Sequence, residues 1–336
     1  MLLLSEAEVE RLITPDLAIA TAEAAFVAQS SGKAGTPARA DWRRESPRFG
    51  TLVLVGTAGG PRCVVKSNMH AYPPGGGPRR AASLLTLWDM AACRPVALLA
   101  SAGFNNHRTA AGFAAAAKVL ARPDASTLVV FGAGKIAPAA IRYLAAVRPI
   151  RRVILIGKGG ARAGALASAI PSWPGFEGVR AEAGLSAAAA VAEADVVLTV
   201  TTADSPVFPG TALRPGALVI LGGSNRPSAR EGDDSMLARA SVWADHLEGA
   251  LGKAGDLRLP LAAGTLEAAR LRGDIGHLIE GGAPPPGDDV RVFKSIGIAP
   301  QDVLLAEAIL TRAEAGGIGR RMDLLDGLVE PERVDA

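Results

Sequence analysis

The sequence predicts an α/β protein: a doubly wound parallel sheet joined to a smaller α+β part. Three observations carry that prediction. Residues 126–147, STLVVFGAGKIAPAAIRYLAAV, run from a β-branched and aliphatic stretch through glycines into small and apolar residues at helical spacing. Downstream, strand-like runs alternate with helical ones, the rhythm of a parallel sheet. Upstream, strand-like runs follow one another across Gly/Pro turns with no helix between them, the rhythm of an antiparallel sheet.

A chain of 336 residues is roughly two domains' worth, and 49% hydrophobic residues supply a large core. The net charge of +3 is mild, the basic residues are scattered and aromatics are only 4%, so nucleic-acid binding is not indicated. Cys63 and Cys93 cannot make a disulfide framework, which suits a reducing cytoplasm. The start MLLLSEAEVERL carries acid where a secretory signal needs base, and no apolar stretch is long enough to span a bilayer. His70, His107, His246 and His277 lack ligand spacing, so no metal site is expected.

Taken in order, Ser5-x-x-Glu8 reads as a capping box opening a short helix. Thr14-Pro15 opens a second helix to about residue 28, and 30–36 is a loop. Strand-like runs follow at 51–55, 63–67, 83–88 and 96–100, with the turn PPGGGP at 73–78. An alanine-rich helix over 108–120 closes this first part near residue 121. Then come strands at 127–131, 152–156, 194–200, 217–221 and 242–244. Residues 265–272 read as a helix, 281–289 as a Pro/Gly loop, and 300–314 as an amphipathic helix returning to the first part. The division is therefore 1–121, completed by 303–336, and 122–302.

Strand, glycine turn and helix form the context in which G-x-G-x-x-[GA] binds a dinucleotide, so 122–302 reads as a Rossmann-type domain. Gly132 permits the tight turn, Gly134 lets the backbone approach a pyrophosphate, and Ala137 keeps the helix close to the strand. The second strand of such a domain usually ends in an acid that holds the ribose hydroxyls. Here it runs into Lys158 and Arg162, which suits a 2′-phosphate and favours NADP(H) over NAD(H), although both also read as solvated loop charges.

Three cations stand out in the first part. Lys66 lies inside the run CVVKSN, where a strand buries at least one face; it is either paired and used there or turned to solvent by alternation. Arg108 opens the 108–120 helix, where its charge opposes the macrodipole and asks for an anion. Arg39, in TPAR, reads singly as a surface residue. Together the three suit a carboxylate substrate, with arginines gripping it and the lysine exchanging a proton. The hydride chemistry would belong to the nicotinamide.

Over nearly its full length the chain resembles the ornithine cyclodeaminase/μ-crystallin family. The resemblance rests on PAR, VVKSN, HRTAAG, FGAGKIA, ADVVLTVTTADSPVF, GGSNRPSARE, ADHLEGALGKAGDL and FKSIGIAPQD, in that order. It implies a homodimer formed through the first part's sheet, a site in the cleft between two domains, and a small amino- or imino-acid substrate. By the family's pattern Arg39 and Arg108 hold the substrate carboxylate and Lys66 sits beside the reacting carbon and nitrogen. Thr109, Gly132, Gly134, Lys135, Ala137 and Thr201 would line the cofactor, with Ser224 and Lys294 near the nicotinamide. Cyclodeaminases of the family use an aspartate where this chain has Asn225, and an amide cannot act as a general base. Asn225 also suits a plain turn in Ser-Asn-Arg-Pro. Asn105 stands where the family usually has threonine. The first expectation is a reductase of a 2-imino acid of the Δ1-pyrroline-2-carboxylate or ketimine type, or an amino-acid dehydrogenase in reverse. The alternatives are an ornithine cyclodeaminase-type lyase that recycles NAD, and a weakly catalytic NADP-binding protein of the μ-crystallin type; the retained Arg39, Lys66 and Arg108 speak against the last.

Overall fold

A computed structural model describes residues 1–325 apart from 38, 46–47, 74–79, 185, 285–288 and 324. The chain begins with β1 (Leu2–Leu4), α1 (Glu6–Leu12) and α2 (Pro15–Ser30). Both predicted starts hold: Ser5 and Glu8 form the capping box, and Thr14 caps α2 with Pro15 in its first turn. The strands β2 (Ala40–Glu45), β3 (Arg48–Thr57), β4 (Arg62–Ala71), β5 (Arg80–Asp89) and β6 (Arg94–Ala100) then pair antiparallel in sequence order. β1 joins this sheet parallel to β6. β2 was not expected, because ADWRRE has no apolar alternation and every one of its residues is exposed. Residues 69–71 extend β4 and Arg80 opens β5; of the turn between them, 74–79 lie outside the described residues.

Helix α3 (Ala102–Leu120) corrects one expectation. It starts a turn and a half before Arg108, so that residue does not sit in the first turn and the macrodipole gives no reason for an anion there. The sequence hid the start because Gly103, Asn105 and Asn106 are poor helix formers. Tertiary contact supplies what propensity lacks, since Glu6 of α1 accepts a bond from the Gly103 backbone N–H at the helix N-terminus.

The second sheet alternates with helices: β7 (Thr127–Phe131), α4 (Ile136–Val147), β8 (Arg152–Ile156), α5 (Ala161–Ala169), β9 (Arg180–Ala183), α6 (Ala187–Glu193), β10 (Val196–Thr199) and β11 (Ala217–Leu221). There follow α7 (Asp234–Leu237), β12 (Ala240–Ala244), α8 (Leu247–Lys253), α9 (Gly255–Ala262), β13 (Leu271–Asp274), α10 (Gly276–Ile279) and β14 (Val290–Lys294). The strand order is β13-β12-β14-β11-β10-β7-β8-β9, all parallel. Its central strands are apolar on both faces because both are covered. Leu128 and Val130 of β7 join the core shared with the first sheet, while Val129 and Phe131 join a second core with Val197, Val219 and Met236.

The helix expected over 265–272 is absent. Residues 268–270 make a single 3-10 turn, and 271–274 form the edge strand β13 beside β12. Eight residues of helical spacing do not repay helix nucleation, whereas a sheet edge offers ready hydrogen-bond partners. Helix α11 (Ala299–Ala315) returns as expected to pack on α2, β3 and β4, and β15 (Arg320–Arg321) pairs with β1. Among the described residues no helix is long and apolar enough to cross a membrane.

Candidate active site

Alternation along β4 turns Val64 and Lys66 inward and Val65 and Ser67 outward. Lys66, flanked in register by buried Leu54 and Leu85, is only 2% exposed, so it needs a partner. That partner is Asp302, 1% exposed in the first turn of α11: Lys66 Nζ donates to both Oδ1 and Oδ2 at 2.7 Å. Burial pulls the Lys66 pKa down to about 8, against the upward pull of Asp302 and with the help of the Arg108 and Arg39 charges.

Arg108 Nε lies 3.5 Å from Asp302 Oδ1, and an Arg108 terminal nitrogen donates to Asn105 Oδ1 at 2.7 Å, one helical turn back. Asn105 thereby orients the guanidinium, a role threonine's shorter side chain would fill less readily. Arg39 donates to the carbonyls of Ile296 (3.1 Å) and Gly297. A Cβ on Gly297, at φ +71°, would stand 2.6 Å from one Arg108 nitrogen and 3.3 Å from one of Arg39, so the two arginines converge over bare backbone. Asp245, buried at the end of β12, accepts from the Ile296 and Gly297 N–H groups and from Ser295 Oγ, pinning that loop. Burial pushes its pKa up, and those same hydrogen bonds oppose the rise. Arg39, Lys66, Asn68, Asn105, Arg108 and Lys135 all line one cavity of about 520 Å³.

A second cleft, about 790 Å³, opens at the carboxyl ends of β7, β8 and β10 and is lined by Gly132, Gly134, Lys158, Arg162 and Thr201. It lies where the strand order reverses between β7 and β10, the usual ligand crevice of a doubly wound sheet. Gly132 has φ +102°, and a Cβ there would be 2.6 Å from the Val200 carbonyl oxygen. A Cβ on Gly134 would meet no protein atom within 4 Å, so its backbone is open to the cleft. The α4 N-terminus has neither a side-chain cap nor an acid in its first turn, leaving its N–H groups to an anion. These residues fit a dinucleotide. Lys135 differs from the expectation in placement: it borders the lysine–arginine cavity while its neighbour Gly134 lines the cleft, so consecutive residues reach both spaces.

Beneath this cleft lies a network the sequence did not disclose. Glu231, fully buried, accepts from Thr201 N–H (2.9 Å) and Oγ1 (2.7 Å) and from the N–H groups of Gly223 (2.8 Å) and Ser224 (3.1 Å). Its own N–H donates to Asp256, which also pairs with buried Lys294 at 2.8 Å. Lys294 Nζ donates to the Ser224 carbonyl at 2.5 Å, while Ser224 Oγ is buried with no hydrogen-bond partner among the described residues. The Asn225 amide faces two carbonyls, so its nitrogen belongs on that side, where it donates to Ser224 (3.0 Å) and Ser295 (3.1 Å). Thr109 and Ala137 are buried in α3 and α4 and line neither cavity. Asp302, Asp245, Glu231 and Asp256 were all missed. The one available signal was an acid within an apolar segment, as in ADHLEG, because such acids are rarely buried without a partner.

A family model for the ornithine cyclodeaminase/mu-crystallin family matches residues 1–317. The Δ1-pyrroline-2-carboxylate reductase of a Bacillus cereus strain is 30% identical over 328 residues, 96% of this chain and 100% of that protein. The Δ1-pyrroline-2-carboxylate reductase of Paracoccus denitrificans (strain Pd 1222) is 38% identical over 216 residues, 62% of this chain and 66% of that one. Among solved structures, Thermococcus litoralis Δ1-pyrroline-2-carboxylate reductase in complex with NADH and L-proline superposes with a TM-score of 0.85 at 25% identity, covering 96% of this chain and 100% of the other. The parallel sheet, the separate, mostly antiparallel sheet and a match running from the first residue almost to the last make the chain a member of the ornithine cyclodeaminase/mu-crystallin family.

Proposed function

We propose that the protein is an NAD(P)H-dependent reductase of a small 2-imino acid of the Δ1-pyrroline-2-carboxylate type. The observation that carries the reading is the buried Lys66–Asp302 pair beside Arg39 and Arg108 in a cavity that shares the Gly134–Lys135 segment with the dinucleotide cleft. Arg39 and Arg108 grip the substrate carboxylate, and Lys66 gives a proton to the imine nitrogen. Gly132, Gly134, Thr201 and the α4 N-terminus hold the nicotinamide dinucleotide, which supplies a hydride when bound. Ser224 and Lys294 set the loop that faces the nicotinamide. The curated relatives named above support the choice of substrate class.

Lys158 and Arg162 in the cleft favour a 2′-phosphate, hence NADP(H) before NAD(H). Residues 1–121 with the returning C-terminal segment form the substrate and dimerisation part, and 122–302 the dinucleotide part. The outward face of the antiparallel sheet presents Val55 opposite Val65 and Leu84 opposite Ser67, with Met69 nearby, all three named hydrophobics besides Val65 being well exposed; this face pairs two protomers. The assignment places the enzyme in the cytoplasm, where reduced dinucleotides are made and Cys63 and Cys93 stay free thiols.

The test is reduced-cofactor oxidation with Δ1-pyrroline-2-carboxylate and the pure protein, scored by proline formed. Stoichiometric proline is the expected result. Proline and ammonia from ornithine and NAD, with no added reductant, would restore the lyase instead.

A further inference from the structure

An ammonium group has three N–H donors, and Asp302 accounts for two of those on Lys66. Among the described residues Lys66 Nζ has no other hydrogen-bond acceptor. The elements packed around it present apolar Leu54 from β3 and Leu85 from β5, Arg108 from α3, Arg39 ahead of β2, and Asp302 from α11. Among the described residues Asp302 faces all three cations, Asp245 acting on Arg39 alone of the three, and it engages Lys66 through both oxygens rather than one. A carboxylate using a single oxygen would leave two protons free and the ammonium able to rotate.

We infer that Asp302 is a positioning residue of the reductive reaction: it fixes the Lys66 ammonium so that one proton alone is left for the substrate nitrogen. The inference rests on the imine-reductase reading. In that step a hydride from the reduced nicotinamide forms the new C–H bond. The π pair of the C=N bond moves to nitrogen and takes the free Lys66 proton, and the neutral lysine is reprotonated from solvent while still hydrogen-bonded to Asp302. A purely structural ion pair would affect folding alone.

The experiment compares wild type with Asp302→Asn, using Δ1-pyrroline-2-carboxylate and saturating reduced cofactor across the range in which the wild type is stable. The expected result is a kcat at least about tenfold lower, KM values within about threefold, and a basic limb of the pH profile about one unit lower, since the Asp302 charge that favours the ammonium is gone. A wild-type kcat and limb, with only a lower Tm, overturns the inference. Should Asp302→Asn not fold, Asp302→Glu is measured instead: a retained basic limb with kcat lowered about tenfold is expected, because the longer arm displaces the ammonium, and an unchanged kcat overturns it. A wild type that reduces no imine defeats the reductase reading and this role together, whereas an active wild type matched by Asp302→Asn defeats this role alone.

Discussion

Asn225, its amide nitrogen turned inward, gives one proton to the Ser295 carbonyl and thereby ties the loop after β11 to the loop after β14, 3.1 Å across. The bond is one a carboxylate cannot make, because both carbonyls it faces are acceptors. Asn225 thus works as a donor that holds two loops.

Asn225→Asp is accordingly expected to lose two hydrogen bonds, about 0.5–1.5 kcal/mol each, and to lower the Tm without creating a cyclodeaminase. Thermal unfolding and a proline-plus-ammonia assay on ornithine check both halves. Wild type and variant should each leave ornithine unchanged; proline from the variant would identify this position as the switch between the two chemistries.

Lys66→Met should abolish turnover, yet it should also strip Asp302 of its buried partner. Removing one member of a buried pair costs about 3–5 kcal/mol, so the fold will not be spared. The double change Lys66→Met with Asp302→Asn should recover part of the lost stability in denaturant titration and stay inactive. A stable, active Lys66→Met would show that the lysine is only packing.

The pH profile follows from the Lys66 pKa of about 8. Below that value the ammonium can donate, so imine reduction should proceed well; above it reduction should fall off. Amine oxidation, which needs the neutral lysine as acceptor, should rise over the same range. For stability the sign is the reverse of an ordinary ion pair. The folded pKa lies below the unfolded one of about 10.4, so the unfolded chain binds more protons between them, and this group's contribution is fully present above the unfolded value and lost as pH falls through 8. Rates in both directions that stay level across this window would remove Lys66 from the proton path.

For the cofactor, Lys158→Ala and Arg162→Ala together should weaken NADPH binding by about 1.5–3 kcal/mol per lost charge-assisted bond and leave NADH binding unchanged. Fluorescence titration with each cofactor decides it. An equal loss for both would make the two cations general phosphate contacts.

The exposed sheet face gives a test of assembly. Leu84→Lys combined with Val65→Lys should convert a dimer to a monomer in light scattering, because like charges would be brought together and desolvated on a water-excluding apolar surface. A dimer that survives the pair assembles through another surface.

Much of the fold was legible. The buried strands of the second sheet announce themselves because covered faces demand unbroken apolar runs such as ALVIL, and caps such as Thr14-Pro15 mark helix starts by local chemistry. What stayed hidden was set by distant parts of the chain. β2 is held by pairing with β3 and not by its own pattern, and the α3 start depends on Glu6 of α1. In the site, Lys66 could be picked out because a lysine amid valines is conspicuous. Its partner could not, since an aspartate 236 positions away is one of many acids until the chain is folded.

The connection from Lys294 to Asp302 carries three duties in a few residues. Lys294 anchors the loop under Ser224, Gly297 lies bare beneath the two arginines, and Asp302 grips Lys66. The run is held in the middle by the Asp245 bonds to Ile296 and Gly297 and at its end by the Lys66–Asp302 pair, so an inserted or deleted residue would pull one of these contacts apart. The two halves of the site are therefore locked in step during divergence, and new substrate preferences must arise by single replacements on other walls of the cavity, such as Asn68, His70 and Asn106.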